Sequence, residues 1–229
     1  MIQFISLFSL PLINFFQSYD WVSFQMIQRT NQDGKTTEVR SLVCFDKSSE
    51  MTIRQLFPLD LYIRNNVDGE LVMYNPSTNE VYQMMNFMMS SQQNQFYFFL
   101  RGKTDDMGLV EMGFQLKGSR LEDKLLISTY DAPAEVKKYF DKIEMVHEGR
   151  RPIFIGYIDK KGKYLKKVFY YDYNQNLDFM FPGSITEINY LEKKDSIISK
   201  TSFTDFRIND SEHLSMVTFT IPEDAKLIE

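Results

Sequence analysis

The side chains best suited to nucleophilic, redox or metal chemistry are few in these 229 residues: one cysteine, Cys44, and two histidines, His147 and His213. A single thiol cannot close an internal disulfide. Neither a second cysteine nor a histidine stands beside it at metal-ligand spacing, so structural zinc and a redox pair are excluded. Nucleophilic catalysis needs a Ser or Cys presented to an imidazole, but no G-x-S-x-G turn occurs and Cys44 lies in an alternating strand-like run. The histidines read as solvated or packed side chains rather than ligands. Acid–base work could fall to Asp105-Asp106 or Glu122-Asp123, yet both pairs lie in loop-like stretches beside Lys and Arg, the ordinary setting of solvated turns. Gly113 to Gly118 (GFQLKG) has the spacing of a phosphate loop, but Ser119-Arg120 follows where Lys-Ser/Thr is required, and the run reads as a strand. No catalytic residue, metal site or cofactor is expected.

Charge narrows the partners further. Lys and Arg number 26 against 31 Asp and Glu, a formal net charge of -5 without a basic face, which excludes sustained phosphate contact and hence nucleic acid. The basic pairs Lys137-Lys138, Arg150-Arg151, Lys160-Lys161 and Lys166-Lys167 are balanced locally by acids, and read as solubility features or a docking surface for an acidic partner. With 43% hydrophobic and 25% charged residues the chain suits one domain with a sizeable core, neither disordered nor polytopic in a membrane. Its excess is in 20 Phe, 13 Tyr and 13 Met, side chains that suit a pleated surface and, for Met, a surface that adapts its shape.

The elements that must position these side chains are mostly strands. Residues 1–18 are apolar and nearly uncharged, too short and too interrupted at Pro11 to span a bilayer. They read as the apolar part of a secretory signal peptide, or as an apolar segment packed on the domain. Beyond Tyr19, period-two alternation recurs at Trp21–Met26, Val39–Phe45, Leu59–Arg64, Ile153–Ile158, Lys166–Tyr173, Ile185–Leu191, Ser199–Ile208 and Met216–Ile221. Turn pairs at Asp33-Gly34, Asp68-Gly69, Glu148-Gly149 and Lys161-Gly162 separate them. The spacing predicts a single domain over 19–229, mainly β, built as one large curved antiparallel sheet or barrel of about eleven strands. Two short helices are predicted: within Ser90–Gly102, with Phe96, Phe99 and Leu100 on its apolar face, and over Pro133–Phe140.

A resemblance adds to this reading. Phe57-Pro-Leu-Asp-Leu-Tyr-Ile63, then Asp68-Gly-Glu70 and Val72-Met-Tyr-Asn-Pro76, resemble the strand and turn that lead to a helix in LolA-like proteins, the outer-membrane lipoprotein carriers and their relatives. Tyr170-Tyr-Asp-Tyr173, Phe181-Pro182, Ile185-Thr-Glu-Ile188, Thr204-Asp-Phe-Arg-Ile-Asn209 and Phe219-Thr-Ile-Pro222 resemble the family's last strands. The match is nearest the Bacteroidetes type and follows the family's order over most of residues 19–226. Better-known carriers place an Arg-Pro pair, tied to the lid, after the strand that Val39–Phe45 resembles. Here Asp46-Lys47-Ser48-Ser49 stands there, and Arg54 is either a substitute or an ordinary exposed strand residue.

The resemblance implies an unclosed barrel with short helices across its concave face, a periplasmic, soluble and monomeric carrier that shields the acyl chains of a lipoprotein or another lipid, and membrane-bound donor and acceptor proteins. It implies no enzyme. Candidate cavity residues are Val43, Phe45, Leu61 and Ile63 on strands, Met84, Met85, Met88 and Met89 before the first helix, and Phe96, Phe99 and Leu100 on it. The same residues could instead pack a closed core plugged by that helix, and the same scaffold could bind protein along an exposed sheet edge without lipid cargo.

Overall fold

The computed structural model describes residues 19–174, 179–191 and 195–228, apart from the side chain of Met88; the apolar segment 1–18 lies outside them. A first meander comprises β1 (Trp21–Gln32), β2 (Lys35–Asp46), β3 (Met51–Phe57), β4 (Leu61–Asn65), β5 (Glu70–Asn75) and β6 (Glu80–Met85). A second comprises β7 (Gln115–Glu122), β8 (Leu125–Asp131), β9 (Lys142–Glu148), β10 (Arg151–Ile158), β11 (Tyr164–Tyr171), β12 (Ser184–Tyr190) and β13 (Ser196–Ile208). Its last strand pairs with β1, and β14 (Lys226–Ile228) runs parallel to β6. One 14-stranded sheet results, in the order β14-β6-β5-β4-β3-β2-β1-β13-β12-β11-β10-β9-β8-β7. It curves without closing, with β14 and β7 as its edges.

Local chemistry fixes the hairpins. Asp33 and Gly34 both take positive φ (51° and 73°), the geometry of a two-residue turn whose twist matches the strands it joins. From there β1 and β2 pair without interruption from Gln32↔Lys35 to Trp21↔Asp46. Glu122 and Asp123, an acidic pair in the sequence, fall at the end of β7 and in the β7–β8 turn, where Asp123 and Lys124 take positive φ.

The two meanders end on opposite edges, so the chain between β6 and β7 must cross the sheet. It crosses on the concave side. The crossing carries two 3-10 turns, Phe87–Met89 and Ser91–Gln93, and the helix α1 (Gln95–Leu100), whose first turn is capped by the Asn94 side chain accepting from the Phe96 N–H at 2.9 Å. The predicted helix is thus shorter than Ser90–Gly102, because Asn94 rather than Ser90 caps the α-helical turn. Phe96, Phe98, Phe99 and Leu100 are all buried. Phe24, fully buried on β1, lies 5.2–5.7 Å from the rings of Phe96, Phe181, Phe203 and Phe206. Aromatic pairs at such separations add about 0.5–1.5 kcal/mol each beyond burial.

Three expectations are corrected. Among the described residues the sheet has 14 strands rather than about eleven, since β7 forms from a wholly exposed, polar-looking stretch and β14 is too short to show periodicity. Pro133–Phe140 makes turns, not a helix: Lys137 N–H and Phe140 N–H reach the carbonyls of Pro133 and Val136, but a segment this short does not offset the cost of nucleation. Met216–Ile221 is not a strand. Both sides of β13 are already taken by β1 and β12, so the chain after it finds no neighbouring edge. Instead α2 (Leu214–Val217) and the extended residues after it cross the convex face to β6, with Phe219 stacked 3.8 Å from Tyr62 and packed on Val72, Tyr74 and Val81.

Candidate functional site

Strand register assigns the faces. Partners in an antiparallel ladder share a face, and alternate residues along each strand do too. Phe24↔Val43, Val43↔Ile53, Ile53↔Ile63 and Ile63↔Met73 therefore form one concave row, and Tyr157↔Lys166 and Val168↔Glu187 extend the concave face on the other side. The same phase places Leu61, Leu71 and Met84 on the concave side, all half-buried.

The candidate residues separate into three groups. Val43, Phe45, Phe96, Phe99 and Leu100 are buried in the main core, between sheet and helix. Leu61, Ile63 and Met84 are half-buried on the concave face of β4 and β6. Met85 points to the other face and is 69% exposed, and Met89 is 44% exposed; the side chain of Met88 lies outside the described residues.

Beside α1 the concave face holds a cavity of about 390 Å³, within the usual range of about 300–1,000 Å³ for ligand sites. Its rim is Gln93, Asn94 and Gln95 at the start of the helix. One wall is Phe98 of α1 with Met107, Leu109 and Met112 of the following loop, and the floor is Ile155, Tyr157, Val168 and Tyr170 on β10 and β11. Gly108 holds the loop against the helix: a Cβ there would lie 2.5 Å from the Phe98 ring, and its φ of +76° suits glycine.

Two charged groups share this wall, Lys166 of β11 and Glu187 of β12, paired at 2.6 Å with their side chains 33% and 27% exposed. Burial, then the Glu187 charge, raises the Tyr157 phenol above its usual range, and burial holds Tyr170 well above it. Both stay protonated at neutral pH; the Tyr170 hydroxyl donates to Gln95 Oε1 at 3.4 Å, tying floor to rim. None of the eleven candidate residues read from the sequence lines this cavity among the described residues. The signals that mark it are apolar Met107, Leu109 and Met112 within a turn-rich stretch, and the phase of β11, where Lys166, Val168 and Tyr170 share one face.

The helix is held down by Arg101, just past its C-terminus. Its guanidinium donates to the Lys47 carbonyl (2.6 Å) and to Ser49 Oγ (2.8 Å), and lies 5.7 and 5.9 Å from the Tyr19 and Phe45 rings. The β2–β3 turn thus receives a cation from the helix. Arg54 does not serve there; it forms a two-point pair with Asp60 at 3.0–3.1 Å.

The residues that could do covalent chemistry are in structural roles. His147 is buried with Nε2 2.9 Å from the Thr104 carbonyl, joining β9 to the loop after α1. His213 Nδ1 contacts Ser23 Oγ at 2.8 Å, but Ser23 is fully buried beneath the C-terminal segment, so the contact clasps that segment to β1. Cys44 is buried on the convex side, opposite Ser23 in the ladder. Asp106 accepts from the Gly108 and Val110 amides, shaping the cavity loop. Among the described residues no cluster of three or more His, Cys, Asp or Glu could hold a metal, and no helix is long and apolar enough to cross a membrane.

No family model and no curated protein matches the chain. Solved structures do. A LolA superfamily protein from Nitrosomonas europaea is similar at 15% identity and a TM-score of 0.57, over 86% of this chain and 90% of that one. A DUF1329 family protein from Desulfovibrio piger matches at 13% identity and a TM-score of 0.57, over 85% and 88%. An outer membrane lipoprotein-sorting protein domain from Vibrio parahaemolyticus matches at 11% and 0.55, over 86% and 90%. At such identities the likeness is one of fold, and the fold is LolA-like.

Proposed function

We propose that this LolA-like half-barrel is a periplasmic carrier that shields acyl chains of a lipoprotein or a related lipid on its concave face, receiving them from one membrane-bound protein and yielding them to another, and working as a monomer. The observation that carries the reading is the cavity between α1 and strands β10–β12, beside a helix whose Phe96, Phe99 and Leu100 are buried against the sheet. Such binding needs no catalytic group. Each buried methylene contributes about 0.8 kcal/mol, so a chain of about ten gains roughly 8 kcal/mol before the costs of association.

In the closed form the cavity accommodates part of a chain. Displacing α1 would add the surface now covered by Phe96, Phe99 and Leu100, including Val43 and Phe45, and leave the half-buried Leu61, Ile63 and Met84 on the same concave face; the burial of the helix residues is then that of a lid in place. Release follows when an acceptor offers a more apolar surface than the one α1 recovers on closing.

Native mass spectrometry of protein purified from its own envelope, and titration with the neutral dye N-phenyl-1-naphthylamine, test the reading. Co-purified lipid and saturable dye binding are expected. Repeated absence of both would end it. A second reading, a protein-binding module, draws on β7, an edge strand with all 8 residues exposed, including Leu116 and Leu121. A protein partner that stays bound after Phe98 and Met107 are made polar, but is lost when Leu116 and Leu121 are, would favour it.

A further inference from the structure

The Lys166–Glu187 pair is out of place in a cavity meant only for hydrocarbon. It occupies concave positions that alternate with Val168 and Ile185, where apolar side chains would pack at least as stably. The pair is net neutral and half-buried, and it faces the same space as Phe98 and Leu109. Lys166 carries three N–H donors and Glu187 two acceptor oxygens, so one contact between them leaves further capacity on each side. The Tyr157 hydroxyl adds a donor beside them.

This set discriminates by charge. A free carboxylate entering the site would meet Glu187 and would have to displace it from Lys166, leaving one carboxylate without its cation. A bare hydrocarbon would cover the pair and take away its water without replacing the hydrogen bonds. A neutral secondary amide carries a carbonyl acceptor for Lys166 or Tyr157 and an N–H donor for Glu187 within one planar group. We propose that this cavity selects acyl chains joined through an amide over free fatty acids, with Lys166 and Glu187 reading the amide while Phe98, Leu109 and Ile155 hold the chain. The inference rests on the lipid-binding reading and adds the chemistry of the recognised group.

The test displaces N-phenyl-1-naphthylamine from the intact protein with either N-palmitoyl ethanolamine or palmitate at pH 7.5 and submicellar concentration. The amide should compete at least about tenfold more strongly than the acid. Glu187→Gln, which frees Lys166, should move the preference toward palmitate, and Lys166→Met/Glu187→Met should bring the two ligands within about twofold of each other. Near-UV circular dichroism checks that the variants remain folded, and the wild-type comparison decides without them. Equal competition, or a preference for palmitate in the wild type, overturns the amide proposal and leaves lipid binding standing, since both ligands then displace the dye. Failure of the dye and both lipids to bind overturns the carrier reading along with it.

Discussion

Replacing Arg101 with Ala should loosen α1 without unfolding the sheet. Two hydrogen bonds from a charged donor are lost, to the Lys47 carbonyl and Ser49 Oγ, together with contacts to the Tyr19 and Phe45 rings. At a partly exposed site these amount to about 1 kcal/mol per hydrogen bond and about 0.5 for the ring contacts, or roughly 2–3 kcal/mol together. That raises the opening equilibrium of the helix by about thirty- to a hundred-and-fortyfold. Hydrogen–deuterium exchange by mass spectrometry reads it directly: amides over 95–103 should exchange faster by that factor, while those of β1 and β13 hold their protection. Arg101→Lys keeps the charge but loses the planar fork, and should fall between. Dye uptake should rise in the Ala variant if helix displacement exposes the concave face. Exchange over 95–103 within about threefold of wild type would refute the latch, because the lost contacts would then have contributed less than about 1 kcal/mol.

Phe24→Ala removes the centre of the aromatic cluster and should cost about 3–5 kcal/mol, lowering the melting temperature by on the order of 10 °C; a shift of a degree or two would mean that the ring's neighbours collapse into the gap. Burial, reinforced by Asp46, pushes the Cys44 thiol up to about 12, so iodoacetamide at pH 8 should label it only after unfolding. The unfolded thiol ionises near pH ~8.5 while the folded one stays protonated, so this group lowers stability as pH rises above that value, and a Cys44→Ala variant should lack that component in alkaline melts. Arg54 holds the Asp60 carboxyl below its usual range. Its contribution is therefore present at neutral pH and lost as pH falls through the lowered value; with both side chains 39% exposed it is under about 1 kcal/mol. Asp60→Asn should be slightly less stable than wild type at pH 7 and match it near pH 2, and a gap that persists in acid would point to packing instead.

Much of the architecture was legible because strands and turns are local. Alternation at Trp21–Met26 and Val39–Phe45 and the Asp33-Gly34 turn define a hairpin whose register the structure shows unbroken. The apolar spacing of Phe96, Phe99 and Leu100 marked the helix that crosses the sheet. The C-terminal segment misled, since Val217, Phe219 and Ile221 alternate as a strand would. Whether a strand forms there depends on a free edge, and β13 offers none. The cavity was illegible for a related reason: Lys166 and Glu187 lie on different strands, and in the sequence Lys166 reads only as half of a basic surface pair and Glu187 only as part of a strand.

The sequence by itself determined the class of the fold, the run of hairpins, the apolar helix and the lack of any motif for covalent or metal chemistry, because each depends on spacing within one segment. Only the tertiary structure decided which face of each strand is concave, that Arg101 rather than Arg54 secures the helix, and that an ion pair stands in the wall of the cavity beside that helix. Those facts depend on ladder register and on the crossing from one sheet edge to the other, which bring together residues such as Phe98 and Glu187 that no local pattern relates.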